Sequence, residues 1–204
     1  MSKAADEMKL PAGVADQDPS YAFKPSLLGA AFEFWLRPQA IEWRAGRHAG
    51  RIAYRDILRL RLSYRPVTMQ SYRFRTEIWG RGNPRIEIVS ASWKSIMEQE
   101  RLSAPYAAFV TELHRRIAAS GAAPRFEAGD AAPRYWLGLA VFGAIVLALA
   151  ILIVQALSIF EWGGAAFIAA FFVVCLWQVG PYFYRNRPGS YRVDALPANL
   201  LPTK

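Results

Sequence analysis

The sequence predicts a mixed α+β protein: a soluble domain of antiparallel strands closed by one helix, followed by an α-helical hairpin that spans a membrane. Three patterns predict it. Residues 135–160 and 163–184 are two uncharged apolar runs separated only by Glu161 and Trp162. Upstream, from Phe32 to Val89, apolar and polar residues alternate with period two, as in strands that bury one face. Between these regions Tyr106, Phe109, Val110, Leu113 and Ile117 recur at helical spacing.

Each apolar run is long enough to cross a bilayer, because a helix rises about 1.5 Å per residue and the hydrocarbon core is about 30 Å thick. Gln155 and Gln178 are the strongly polar side chains within them. Aromatic rings that favour headgroup depth mark the ends: Tyr135 and Trp136, Phe160 and Trp162, then Trp177, Tyr182 and Tyr184. Of the 25 Lys and Arg residues, 21 precede the first run and four follow the second, while the turn carries only Glu161. Basic flanks stay in the cytoplasm, so both termini are expected there, at the inner (cell) membrane, with the turn outside. Ala140, Ala144 and Ala148 in the first run, and the pairs Ala165/Ala169 and Ala166/Ala170 in the second, mark where the two helices are expected to touch.

The expected organisation is a flexible tail over 1–25, a β-rich domain over 26–121, a linker over 122–134, spans over 135–160 and 163–184, and a C-terminal tail over 185–204. In the β-rich part, Phe32, Phe34 and Leu36 alternate with Glu33, Trp35 and Arg37, and Ile41 and Trp43 follow before a glycine-bounded turn over 45–50. Leu58, Leu60 and Leu62 alternate with Arg59, Arg61 and Ser63, and Phe74, Thr76 and Ile78 with Arg73, Arg75 and Glu77. Turns are expected over 66–70 and 80–84, and Ile86 and Ile88 begin one more strand. Ser103 is read as the cap of the closing helix, with Pro105 in its first turn and Gly121 beyond its end.

With about 50 of the 204 residues in the spans, roughly 100 remain for one soluble domain of ordinary size. The lone cysteine, Cys175, lies within the second span and excludes disulfide scaffolds and cysteine-based zinc or redox sites. His48 and His114 are too far apart to form a metal motif and are read as a solvated turn and a helix flank. No Ser lies in a nucleophile elbow, and Gly80-Arg81-Gly82-Asn83-Pro84 joins strand to strand, so it is a hairpin turn and not a phosphate loop. No catalytic residue, metal site or cofactor is expected, and the chain is read as a non-enzyme.

The element order over 32–119 resembles the pleckstrin-homology-like fold, an antiparallel β-barrel or sandwich with a C-terminal helix. The local pattern carrying the resemblance is Ile52-Ala53-Tyr54-Arg55-Asp56-Ile57, then Ser92-Trp93-Lys94-Ser95, then Tyr106-Ala107-Ala108-Phe109-Val110. Nearly the whole chain is also similar to a group of bacterial two-span membrane proteins, through Asn186-Arg187-Pro188-Gly189 and Asp194-Ala195-Leu196-Pro197. The resemblance implies binding of phosphoinositides or proteins, as in many such domains, but no headgroup-binding motif transfers residue by residue.

The candidate ligand-binding residues are Arg59, Arg61, Arg73 and Arg75. A turn symmetric about Thr68 would place Arg61 opposite Arg75 and Arg59 opposite Glu77, and a turn symmetric about Gly82 would place Glu77 opposite Glu87. Facing arginines repel by some tenths of a kcal/mol and call for an anion between them: a lipid phosphate, a glutamate from elsewhere, or salt. The formal charge of +9 fits anionic headgroups or an acidic membrane-protein partner. A second copy of the chain is a further candidate partner. Nucleic acid competes on charge and on Tyr72, Phe74 and Trp79 as stacking platforms, but no recognition signature accompanies them. The alternative is a small accessory subunit of a membrane complex that acts through its helical hairpin.

Overall fold

The computed structural model describes residues 18–26, 29–66, 72–94 and 99–202. Its architecture is mixed α+β, with two principal sheets, a small third sheet and three helices. The first sheet has the order β1-β2-β3-β4, with β1 Ser20–Phe23, β2 Phe32–Leu36, β3 Ala40–Ala45 and β4 His48–Ala53, each antiparallel to the next. A 3₁₀ turn, Tyr54–Asp56, then leads into the second sheet. There β5 Ile57–Pro66, β6 Tyr72–Gly80 and β7 Ile86–Val89 form an antiparallel meander. Two short strands, β8 Ala91–Trp93 and β9 Gln99–Arg101, pair separately and precede α1, Ser103–Ala119.

Alternation explains which side chains enter the core. Phe34, Leu36, Ile41, Ile52, Leu60, Leu62, Phe74, Ile78 and Ile88 point inward from the two sheets, and Tyr106, Phe109, Val110, Leu113 and Ile117 meet them from α1. Burying one such side chain contributes about 2–3 kcal/mol. Leu58 breaks the expected alternation and is half exposed, because a register shift between Ile57 and Arg59 lets Ile57 and Leu60 both turn inward. Ser103 is not the cap: Leu102 holds that position without a side-chain bond, and Ser103 opens the helix. Gly121 follows the helix end at φ +71°, the left-handed conformation that suits glycine.

Three segments read as tail or linker carry structure. Within 1–25, Ser20–Phe23 is a strand because Tyr21 and Phe23 bury their rings in the core, and residues 1–17 lie outside the described residues. Within the expected linker, β10 Arg125–Ala128 pairs in parallel with β5. Within the expected C-terminal tail, β11 Gly189–Ser190 pairs with β10, Tyr191 packs against the core and Leu200 is buried in it. The second sheet therefore reads β11-β10-β5-β6-β7, and both flanks of the helical hairpin belong to one domain.

The hairpin consists of α2, Ala132–Ser158, and α3, Trp162–Arg185, both long and apolar enough to cross a membrane. A helix in a soluble core would bury that surface, yet Leu137, Val141, Leu147, Val154, Phe167 and Val173 are all more than half exposed. The turn between the helices has Phe160 at φ +62°, with its N–H donated to Leu157 and that of Glu161 donated to Ala156, a left-handed helix end usually made by glycine. Ala165 and Ala169 face α2 as expected. Ala140, Ala144, Ala148, Ala166 and Ala170 instead face outward, because Tyr135, Phe142 and Phe183 fill the contact between the helices with packed rings.

Candidate functional site

The outer face of the second sheet carries the arginines singled out by the sequence, in a register two residues from the symmetric turn about Thr68. Arg61 lies opposite Glu77, Ser63 opposite Arg75, Arg65 opposite Arg73, and Arg59 opposite Trp79. The turn itself falls outside the described residues. Glu77 stands opposite Glu87, as the turn about Gly82 requires. The expected Arg61–Arg75 pair is thus replaced by Arg65–Arg73, four residues nearer the loop on β5 and two on β6.

Glutamates supply the anions that three of the four arginines call for. Arg61 donates from Nε to Glu127 of β10 at 2.9 Å, and Arg59 lies 3.8 Å from the same carboxylate. The Arg59 guanidinium also stacks over Trp79, 3.8 Å from the ring centroid. Arg75 lies 3.2 Å from Glu77 and 3.6 Å from Glu87, and its Nε donates to the Ser63 hydroxyl at 3.2 Å. Arg85 donates to Glu77 at 2.8 Å. Arg73 differs from these three. Its Nε is buried without a hydrogen-bond partner, and it forms no ion pair among the described residues.

Arg65 and Arg73 lie at the end of the sheet from which the helices leave. Asn186, which follows α3, accepts the Tyr64 N–H on Oδ1 at 2.9 Å and donates from Nδ2 to the Tyr64 carbonyl at 2.7 Å. The amide thus continues the β5 ladder beyond β10, whose last bond runs from the Gly129 N–H to the Leu62 carbonyl. On the α2 side Asp130 is nearly buried and accepts from the Ala131 N–H at 2.9 Å and from the Tyr182 hydroxyl at 3.0 Å. Arg134 and Arg65 approach it at 3.5 and 4.0 Å. Burial alone would raise the Asp130 pKa, but these donors and cations outweigh it and hold the carboxyl below its ordinary value. Arg185 places its guanidinium 5.0 Å from the centre of the Tyr64 ring. The helix-bearing end thus holds Arg65 and Arg134 beside Asp130, Arg73 opposite Arg65, and Arg185 over Tyr64. Arg59, six residues along β5 from Arg65, is about 20 Å away from it.

Two of these cations, Arg134 and Arg185, are visible in the sequence as flanks of the apolar runs. Arg65 escapes notice because only the true register pairs it with Arg73. No protein-family model, curated protein or solved structure matches the chain.

His114 is not a solvated flank of α1. It is 1 % exposed, donates from Nδ1 to the Val110 carbonyl at 2.7 Å, accepts the Tyr191 hydroxyl on Nε2 at 2.8 Å, and stacks on Phe126. Burial pulls its pKa from the ordinary 6.5 to about 4, against the opposing bond to Val110. The unfolded chain therefore binds a proton that the native state refuses as pH falls from 6.5 toward 4. Stability present above that window is lost through it, by about 3 kcal/mol in all. Thermal melts across the window should show this loss, and His114→Gln should flatten the dependence. A melt that slopes equally in both proteins would refute the assignment. His48, by contrast, is exposed at the start of β4.

Proposed function

We propose that the chain is a membrane-anchored, non-enzymatic binding module whose soluble domain, of pleckstrin-homology-like architecture, presses its basic helix-bearing end against anionic lipid headgroups. The observation that carries this reading is that Arg65 and its cross-strand neighbour Arg73, with Arg134 and Arg185 at the helix ends, lie where two membrane-length helices depart. Basic side chains beside an anionic leaflet gain about 1 kcal/mol each. Arg73 forms no ion pair among the described residues and faces Arg65 across the strands, so its charge is left for an external anion. The basic flanks of both helices favour the inner membrane with both termini in the cytoplasm, and the return of the chain into one domain after α3 fits that topology.

The module is fastened and not loosely tethered, since Asn186 and Asp130 tie both helices to β5 and its neighbours. The full-length protein should melt at a higher temperature in nanodiscs of phosphatidylglycerol than of phosphatidylcholine at low salt. The difference should shrink with added salt and largely vanish in Arg65→Glu/Arg73→Glu. Equal melting in both lipids would remove the basis for the reading. A second reading, an accessory subunit acting through its helices, is favoured by the outward-facing Ala140, Ala144 and Ala148, which leave a close-approach surface on α2.

A further inference from the structure

The end of the domain opposite the helices carries a second basic feature. An open cleft of about 910 Å³ is bounded by Arg51 and Ala53 of β4, Arg55 of the 3₁₀ turn, and Arg115, Arg116 and Ser120 at the end of α1. Asp56 also lines it, half-buried and with no ion pair among the described residues, while the other acids nearby are engaged. Asp18 and Glu42 bind Arg37 at 3.1 and 2.8 Å, and Glu112 binds Arg115 and Arg116 at 2.6 and 2.7 Å. Arg51 is 63 % exposed and only 3.9 Å from Glu42, while Arg55 is exposed and has no ion pair among the described residues. Two forked cations, Arg51 and Arg55, therefore face solvent at the cleft against one unengaged carboxylate, Asp56, and leave it net positive.

A second, independent observation concerns the backbone. β4 ends the strand order of the first sheet, so among the described residues nothing pairs with its outer edge. Unpaired strand edges are templates for another extended segment, and proteins that bind peptides by strand addition use them so. Arg51 and Ala53 belong both to this edge and to the cleft wall. No aromatic side chain is among the residues lining the cleft, so it offers no platform for a nucleotide base or an apolar ligand. Guanidinium forks match carboxylates in pairs. The cleft adjoins the start of β5, and the seven steps along the strand from Ile57 to Tyr64 put about 23 Å between it and the helix-bearing end, beyond reach of headgroups there.

We infer that the β4 edge and its cleft dock an extended, carboxylate-rich segment of a soluble protein partner, which adds a strand to β4 and places acidic side chains on Arg51 and Arg55. The domain then holds lipid at one end and a soluble protein at the other, and the second site stands whether or not the first binds lipid.

The test uses full-length protein in phosphatidylcholine nanodiscs and a short fluorescein-labelled peptide of alternating glutamate and valine, followed by anisotropy. Saturable binding is expected. It should weaken roughly tenfold in Arg51→Glu/Arg55→Glu, less in Arg51→Gln/Arg55→Gln, and remain unchanged in Arg65→Glu/Arg73→Glu. A peptide with proline at alternate positions, which cannot donate along a strand, should bind the parent protein about as weakly as the first peptide binds the charge-reversed one. Binding that ignores the Arg51 and Arg55 substitutions, or that survives the prolines intact, overturns the proposal. Both arginines are exposed, so their variants should melt as the parent does.

Discussion

Gly129→Val is expected to cost about 4 kcal/mol or more and to leave little protein with its helices seated on the soluble domain. Gly129 adopts φ +78°, which a β-branched residue avoids, and a Cβ at this position would collide with the carbonyl oxygens of both Asn186 and Arg187. Those atoms are backbone and cannot swing aside. They are held in turn by the Asp130 N–H, donated to the Asn186 carbonyl at 3.0 Å, and by the Asn186 side chain on Tyr64. Gly121→Ala supplies the comparison. Gly121 has φ +71° but open space where a methyl group would sit, so only the conformational strain of about 1–2 kcal/mol is expected. Thermal melting with size-exclusion profiles in detergent would measure both. If the Gly129 variant melts like the Gly121 variant, the close approach at the joint is not a constraint.

Asn186→Leu should destabilise the joint by about 3 kcal/mol while leaving the core of the sheets intact. Leucine is close to asparagine in shape but leaves the Tyr64 N–H and carbonyl without the amide that satisfies them, and each buried orphan costs about 1–3 kcal/mol. Asn186→Asp keeps the acceptor and loses the donor, so it should fall between the two. Limited proteolysis at the domain–helix junction and a melt of the purified protein would register the change. A leucine variant as resistant and as stable as the parent would show that the ladder does not depend on this side chain.

Much of the fold was legible because it rests on periodicity. Phe34 and Leu36, Leu60 and Leu62, and the α1 stripe from Tyr106 to Ile117 bury themselves as their spacing demands, since a side chain's face follows directly from its place in a strand or helix. The added strands were not legible. Ser20–Phe23, Arg125–Ala128 and Gly189–Ser190 are four residues or fewer, too short for a repeat to emerge, and they become strands because a neighbour's edge is free. His114 shows the same gap on a smaller scale. Its flanking Glu112 and Arg115 suggest a solvated helix face, but Tyr191 arrives from the far side of the helical hairpin and seals it.

The candidate arginines illustrate how narrow that gap can be. Arg73 and Arg75 are two residues apart on one strand, and a shift of two in the partner strand decides which one meets a serine and which one meets another arginine. A shift of two keeps every side chain on its own face, so the hydrophobic pattern does not oppose it.

The sequence by itself determined the two apolar spans, the basic flanks, the alternating strands and the lack of a familiar catalytic motif, because each is a property of neighbours along the chain. Only the tertiary structure decided that Glu127 and Glu77 would neutralise one end of the arginine ladder while Arg65 and Arg73 face each other at the helix-bearing end. Those pairings join residues as much as 66 positions apart. Charge travels with the residue, but its partner is chosen by register and by which segment reaches a free edge.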